Sequence, residues 1–154
     1  MMSNFFLDND INEITEASSD LISSVEGKHI VIIGGRGFLG RYLTEIFDRF
    51  NKIISKPIKL TVIDNLVVSG ELGSYWPKYE NFFFLKSDAS ESIKIKEDVD
   101  YIIHAAGIAS PFYYRKKPLE TLDVAINGTI GNLTVGEYEI VIYDLLIIFT
   151  NGFS

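Results

Sequence analysis

Cysteine is absent from this chain of 154 residues. That excludes disulfides, thiolate metal sites and a cysteine nucleophile, and it suits a reducing compartment. Basic residues are scarce: 14 Lys and Arg stand against 21 Asp and Glu, for a formal net charge of -7. Non-specific binding to nucleic acid or to an anionic membrane needs clustered cations, so neither partner is expected. A bound nucleotide must then be held by local geometry and not by the field of the whole molecule. Long apolar runs are missing as well. The longest nearly apolar stretch, 140–149, is interrupted by Asp144 and is too short to span a bilayer. The N-terminus, MMSNFFLDNDINE, has an acidic flank and no basic region, so no signal peptide is expected. These absences point to a cytoplasmic protein.

What is present is an ordinary globular balance, 47% hydrophobic and 23% charged, long enough for one domain with a real core. There is no internal repeat and no low-complexity tract. Apolar residues at Ile11, Ile14, Leu21, Ile22 and Val25 predict a leading helix over 8–25, with Asp8 to Asp10 as caps and Gly27-Lys28 as its end. Strands are expected at 30–33, 58–63, 81–85 and 99–105. Leu39, Leu43, Ile46, Phe47 and Phe50 share one helical face between the first two. Pro118 opens a further helix whose inward face is Leu119, Leu122, Ile126, Ile130 and Leu133. Residues 66–80 read as a loop or a poor helix. Apolar strands alternating with helices predict an α/β fold, a Rossmann-like doubly wound parallel sheet covered on both faces.

Between the first strand and its helix lies "GGRGFLG", four glycines in seven residues. Gly34, Gly37 and Gly40 give G-x-x-G-x-x-G, and Gly35, Gly37 and Gly40 give G-x-G-x-x-G. Either template turns the chain sharply and lets a pyrophosphate approach bare backbone at a helix N-terminus, whose N–H groups and dipole favour an anion. Asp64 follows Gly40 by 24 residues at the end of the second strand, near the spacing of a ribose-binding carboxylate. The alternative is a turn-starting Asp before Asn65. Arg36 either meets the 2′-phosphate of NADP or is solvated. A carboxylate at 64 would repel that phosphate, so NAD is favoured over NADP.

The segments "IVIIGGRGFLGRYL", "VIDNL", "SDAS" and "VDYIIHAAGIASPFYYRKKPLETLDVAINGT" together resemble the extended short-chain dehydrogenase/reductase family, the NAD-dependent nucleotide-sugar epimerases and dehydratases. The stretch "HAAGIASPFYYRKKPLET" is most similar to the UDP-glucuronate decarboxylase and dTDP-glucose 4,6-dehydratase branch. The resemblance covers residues 28 to about 134. It implies a leading segment at 1–27, an NAD-binding domain at 28–134 and a divergent tail at 135–154. It implies that Gly34, Gly37 and Gly40 line the pyrophosphate, with backbone contacts from Phe38 and Leu39. Asp64 and Asn65 would meet the adenosine ribose, and Asp88 and Ala89 the adenine edge. Ala105, Ala106 and Gly107 would form a small-residue turn beneath the cofactor. Asp88 could instead cap the segment after it, and His104 is expected to be packed and not catalytic. The aromatic residues Phe112, Tyr113 and Tyr114 either anchor a loop or lie near the sugar nucleotide.

The family's chemistry at C4 of the sugar needs a Tyr-x-x-x-Lys pair on a helix. It also needs a Ser or Thr at the end of the fifth strand. Only Tyr113 has a Lys four residues on, Lys117; the pair falls directly after the fourth strand, far upstream of the family's catalytic helix, and is read as a coincidence. Ala125 stands where the family usually has Asn, with Asn127 offset by two. The helical pattern ends at Val135-Gly136, and a β-branched tail follows in which 140–150 could form a fifth strand carrying Thr150. No catalytic residue and no metal ligand is assigned. The expectation is the NAD-binding N-terminal portion of a nucleotide-sugar epimerase, dehydratase or decarboxylase, truncated after the fourth or fifth strand and catalytically incomplete as written. A full-length member, about twice as long, would add the nucleotide-sugar site. The alternative is a non-catalytic dinucleotide-binding or sensing module. An apolar fifth strand left as an edge also predicts self-association into homo-oligomers.

Overall fold

The computed structural model describes residues 8–67, 80–91, 93, 95–107, 115, 116, 118 and 119. The strands are β1 (His29–Ile33), β2 (Lys59–Asp64), β3 (Phe82–Lys86) and β4 (Tyr101–His104). All pairings are parallel, and the sheet order is β3-β2-β1-β4. This is the Rossmann-like sheet expected, with each strand's bounds within two residues of the sequence reading. β1 is central, and all five of its residues are buried. A strand buried on both faces cannot alternate polar and apolar residues, which is why HIVII reads as a continuous run.

The two faces have separate cores. Ile30, Ile32, Leu60 and Val62 point to one side, where Ile46, Phe47 and Phe50 of helix α3 (Phe38–Asn51) cover them. Val31, Ile33, Ile63 and Ile102 point to the other, against Ala89, Ile93 and Val99. Each fully buried side chain of this size contributes roughly 1.5–3 kcal/mol. The expected inward face of α3 is confirmed for Ile46, Phe47 and Phe50, while Leu39 and Leu43 are half-buried. The cover thins at β3, the edge strand among the described residues, whose Phe83 and Leu85 are exposed.

The leading helix is not continuous. It runs as α1 (Asp8–Ala17), a 3-10 turn (Ser19–Leu21) and α2 (Ile22–Val25). Ser18, Ser19 and Asp20 interrupt it, residues whose side chains compete for the helix's own backbone bonds. As a result Ile11 is fully buried, while Leu21 is exposed. α1 lies on α3, where Arg49 Nη1 donates to Asn12 Oδ1. Gly27, at φ +71°, ends the segment and turns the chain into β1. Leu119, expected on an inward helix face, is 77% exposed. Nor does Pro118 open that helix, because Arg115 and Lys116 before it are already helical. The expectations at 122–154, at Phe112, Tyr113, Tyr114 and Lys117, and over most of 66–80 lie outside the described residues.

α3 is tied to β2 by a side chain that imitates a strand partner. Asn51 Nδ2 donates to the Ile58 carbonyl (3.0 Å), and the Ile58 N–H donates to Asn51 Oδ1 (2.7 Å). Asn51→Ala would leave a buried donor and acceptor unmatched, because Ile58 is 0% exposed. The expected loss is about 1–3 kcal/mol of unfolding free energy, measured by urea denaturation.

At the opposite end of the sheet from the glycine turn, His29 is buried at the start of β1. Its Nδ1 lies 2.6 Å from the Asp98 carbonyl and its Nε2 2.8 Å from Thr61 Oγ1. Burial is the main cause that lowers its pKa, with Lys59 adding to the shift while Asp98 and Asp100 oppose it. A lowered histidine pKa means that the unfolded chain binds more protons. Its contribution to stability is therefore full above the unfolded value near 6.5 and is lost as pH falls below it. Thermal melts at pH 7.5 and 5.5 should show a drop that His29→Gln reduces.

Candidate functional site

The parallel register aligns the carboxyl ends of all four strands, with Ile33 beside Ile63 and His104, and Ile63 beside Leu85. The residues singled out in the sequence follow those ends: Gly34 to Gly40 after β1, Asp64 and Asn65 at β2, Asp88 and Ala89 after β3, Ala105 to Gly107 after β4. Between β1 and β4 the strand order reverses, and in open α/β sheets ligands bind in the crevice at such a point.

Gly34 is where two of the segments meet. It adopts φ +77°, and a Cβ on it would lie 2.5 Å from both N and Cα of Ala106 and 2.7 Å from the Ala105 carbonyl carbon. The glycine turn and the Ala105–Ala106 chain thus pack backbone against backbone, and the Ala105 N–H donates to the Ile33 carbonyl (2.8 Å). Gly35 is held as tightly, since its Cβ would lie 2.4 Å from Val62 Cγ1. Gly40 lets α3 press on the turn; a Cβ there would meet Gly35 Cα at 2.4 Å. Gly37 differs. Its φ is an ordinary -66°, it is exposed, and the one neighbour of its Cβ is the Gly34 oxygen at 3.2 Å. Internal packing requires glycine at 34, 35 and 40 but not at 37, where open space lies above the helix start.

Hydrogen bonds set the shape of the turn. The Gly34 and Gly35 N–H groups donate to the Ile63 carbonyl (2.8 and 3.3 Å), and that of Gly37 to the Gly34 carbonyl (3.0 Å). The Arg36 N–H donates to Asp64 Oδ2 (2.9 Å). Arg41 Nε donates to the Arg36 carbonyl (2.8 Å), and Thr44 Oγ1 to that of Gly40 (2.7 Å). The next N–H groups, of Phe38, Leu39 and Gly40, begin α3 and have no acceptor within the helix. Phe38 turns its ring outward onto Tyr42, centroids 5.2 Å apart, and Leu39 is half-buried. What both bring to the turn is main chain.

Asp64 and Asp88 are each fixed twice. Asp64 Oδ1 accepts the Leu66 N–H (2.8 Å), and Leu66 holds φ +64°, a strained region for a residue of its size. Asn65 Nδ2 donates to Asp88 Oδ2 (2.8 Å), joining the ends of β2 and β3. Asp88 Oδ1 accepts from the Ser90 N–H and Oγ (3.0 and 2.7 Å). The bonds from Asn65 and then Ser90 hold the Asp88 carboxyl below the usual carboxylate range. Asp88 therefore does cap the segment after it while standing at the site. Ala89 is buried in the second core cluster, so its side chain belongs to the packing. His104 is buried, as expected of a packed histidine.

Arg36 corrects one alternative. It is 5% exposed and so is not a solvated arginine. Burial, followed by the Arg41 charge, lowers its pKa, while Asp64 opposes that shift. The structural roles of Arg41, Thr44 and Ser90 went unread in the sequence. The Asp-x-Ser spacing of 88–90 signals a local Asx turn, whereas no pattern announced the Arg41 bond. Among the described residues there is no His, Asp and Glu cluster fit for a metal and no helix long and apolar enough to cross a membrane.

The family model described as "NAD dependent epimerase/dehydratase family" matches residues 30–135, a span that contains every residue of this constellation. The chain belongs to the NAD-dependent epimerase/dehydratase family. Among curated members, UDP-glucuronic acid decarboxylase 1 of Danio rerio is 34% identical over 113 residues, 73% of this chain and 25% of the relative. UDP-glucuronic acid decarboxylase 1 of Arabidopsis thaliana is 32% identical over 106 residues, 68% of this chain and 22% of the relative. The chain therefore spans about a quarter of the length of the curated relatives it matches. Among solved structures, an epimerase from Methanothermobacter thermautotrophicus superposes with a TM-score of 0.61 at 28% identity, over 74% of this chain and 33% of the other. The Bordetella bronchiseptica enzyme WbmF, solved in complex with NAD+, gives 0.60 at 16% identity over 77% and 36%, a likeness of fold. NAD is the cofactor of the family the chain joins.

Proposed function

We propose that this chain is the NAD-binding portion of a nucleotide-sugar epimerase, dehydratase or decarboxylase. The observation that carries the reading is the contrast among the glycines. Three are locked by the protein's own packing, while Gly37 alone is open, as a backbone that must admit a pyrophosphate should be. In this reading Gly34, Gly37 and Gly40, with the N–H groups of Phe38 and Leu39, cradle the pyrophosphate. Asp64 and Asn65 accept and orient the adenosine ribose. Asp88 and the Ala89 backbone border the adenine, and Ala105, Ala106 and Gly107 leave room beneath the cofactor. When bound, NAD supplies reversible hydride acceptance. The chain's own residues bind and orient it.

The Asp64 carboxylate favours NAD over NADP, since a 2′-phosphate would meet a like charge. Similarity to UDP-glucuronic acid decarboxylases supports a UDP-sugar as the substrate of a longer protein, and the reaction needs residues beyond those assigned here. A second reading, a non-catalytic NAD-binding or sensing module, is favoured by one feature: the only Tyr-x-x-x-Lys in the chain is Tyr113 with Lys117. Calorimetric titration with NAD and NADP tests the shared core of both readings. A saturable one-to-one heat with NAD, at least about tenfold tighter than with NADP, is expected. Absence of saturable heat would refute dinucleotide binding. A Tyr-x-x-x-Lys downstream in the gene would decide for the enzyme portion, and its absence in every frame for the module.

A further inference from the structure

Asp64 bears on the phosphate end of the site as well as on the ribose, an inference that rests on the dinucleotide reading above. Four consecutive N–H groups of the turn are held inside the protein. Those of Gly34, Gly35 and Gly37 go to main-chain carbonyls, of Ile63 and of Gly34, that survive any substitution. That of Arg36 alone goes to a side chain, Asp64 Oδ2 at 2.9 Å. The other carboxylate oxygen accepts the Leu66 N–H at 2.8 Å, so one carboxylate ties together the turn after β1 and the turn after β2. A carboxylate oxygen can accept more than one hydrogen bond, which leaves acceptor capacity for a ribose hydroxyl.

We propose that Asp64 is a positioning residue for the pyrophosphate cradle. By holding the Arg36 N–H it fixes the Gly35–Arg36 peptide plane, while Arg41 Nε holds the Arg36 carbonyl in the Arg36–Gly37 plane that follows. Together they aim the first N–H groups of α3 out of the helix end. Arg36 is buried, and buried main-chain donors are almost always paired. Without the carboxylate the turn must rotate toward another acceptor, and Gly37 rotates with it.

A carboxylate that acts only through its charge makes the opposite forecast. A negative charge beside an anion site weakens anion binding, so deleting it should tighten binding. Inorganic pyrophosphate, which has neither ribose nor base, separates the two when titrated into the 154-residue chain and followed by amide NMR shifts. Asp64→Ala is expected to bind it about tenfold more weakly than the original, the scale of a lost charge-assisted hydrogen bond. Asp64→Asn drops the charge but keeps an oxygen for the Arg36 N–H, and should bind as tightly as the original or more so. Equal or tighter binding by Asp64→Ala, or an Asp64→Asn as weak as Asp64→Ala, overturns the proposal. Should Asp64→Ala not fold, hydrogen exchange of the unsubstituted chain carries the test. The Arg36 amide should exchange at least about a hundredfold slower than an open chain, and exchange at the open-chain rate overturns the proposal. A chain that binds neither NAD nor pyrophosphate overturns the dinucleotide reading together with this one. Binding of NAD with pyrophosphate affinity indifferent to Asp64→Ala overturns this one alone.

Discussion

Replacing Gly34 by alanine is expected to remove most of the chain's folding stability. Two independent penalties fall on this one methyl. The residue sits at φ +77°, where an L side chain is strained, and such strain costs about 1–3 kcal/mol. The methyl would also lie 2.5 Å from the N and Cα of Ala106. Those are main-chain atoms of the segment leaving β4, which is itself bonded to Ile33, so the obstruction cannot swing aside as a side-chain tip could. Relief requires β1 and β4 to part at their carboxyl ends. The combined loss should be about 4 kcal/mol or more, a large part of the roughly 5–15 kcal/mol that holds a domain folded. Urea denaturation followed by far-ultraviolet dichroism reads it directly. A midpoint within experimental error of the original would mean that the turn and the 105–107 segment are not in contact.

Gly37→Val should do the reverse, sparing the fold and removing the ligand. The backbone at 37 is at φ -66°, and valine adopts it without strain. The main cost is a poorer N-cap, about 0.5–1 kcal/mol, together with a small shift from the Gly34 oxygen. The added side chain occupies the open space at the start of α3, the place proposed for the pyrophosphate. NAD affinity is expected to fall at least about thirtyfold, roughly 2 kcal/mol, while the thermal midpoint moves by a few degrees. A variant that binds NAD as the original does would sink the assignment of this turn. Equal unfolding of the Gly34 and Gly37 variants would contradict the division of labour among the glycines.

The parallel sheet was legible because each strand is a short run rich in β-branched or aromatic residues and bounded by turn residues. The glycine turn was legible in part. Spacing admitted both Gly34 and Gly35 as first glycine, and only the fold divides their tasks: positive φ for Gly34, contact with Val62 for Gly35. Asp64 could be found by its distance from Gly40, but its bond to the Arg36 N–H joins residues 28 apart, a separation no local pattern encodes. For the same reason a solvated Arg36 stood as one of two alternatives although the residue is buried. The single helix over 8–25 failed because periodicity weighs apolar positions, whereas Ser18, Ser19 and Asp20 break the helix through their low helix propensity. Phe83 and Leu85 look like core in sequence, yet they are exposed on β3, the last strand on its side of the sheet among the described residues.

The account's central claim is that four segments scattered between residues 34 and 107 form one NAD site at the carboxyl ends of the strands. Mapping amide chemical shifts of the labelled chain during NAD addition tests it most directly. The account predicts saturable perturbations at 34–40, 64–65, 88–89 and 105–107, with the amides of α1 and of the His29 end of the sheet unmoved. Perturbations confined to α1 and the outer side of α3, or none at the glycine turn under saturating NAD, would contradict it.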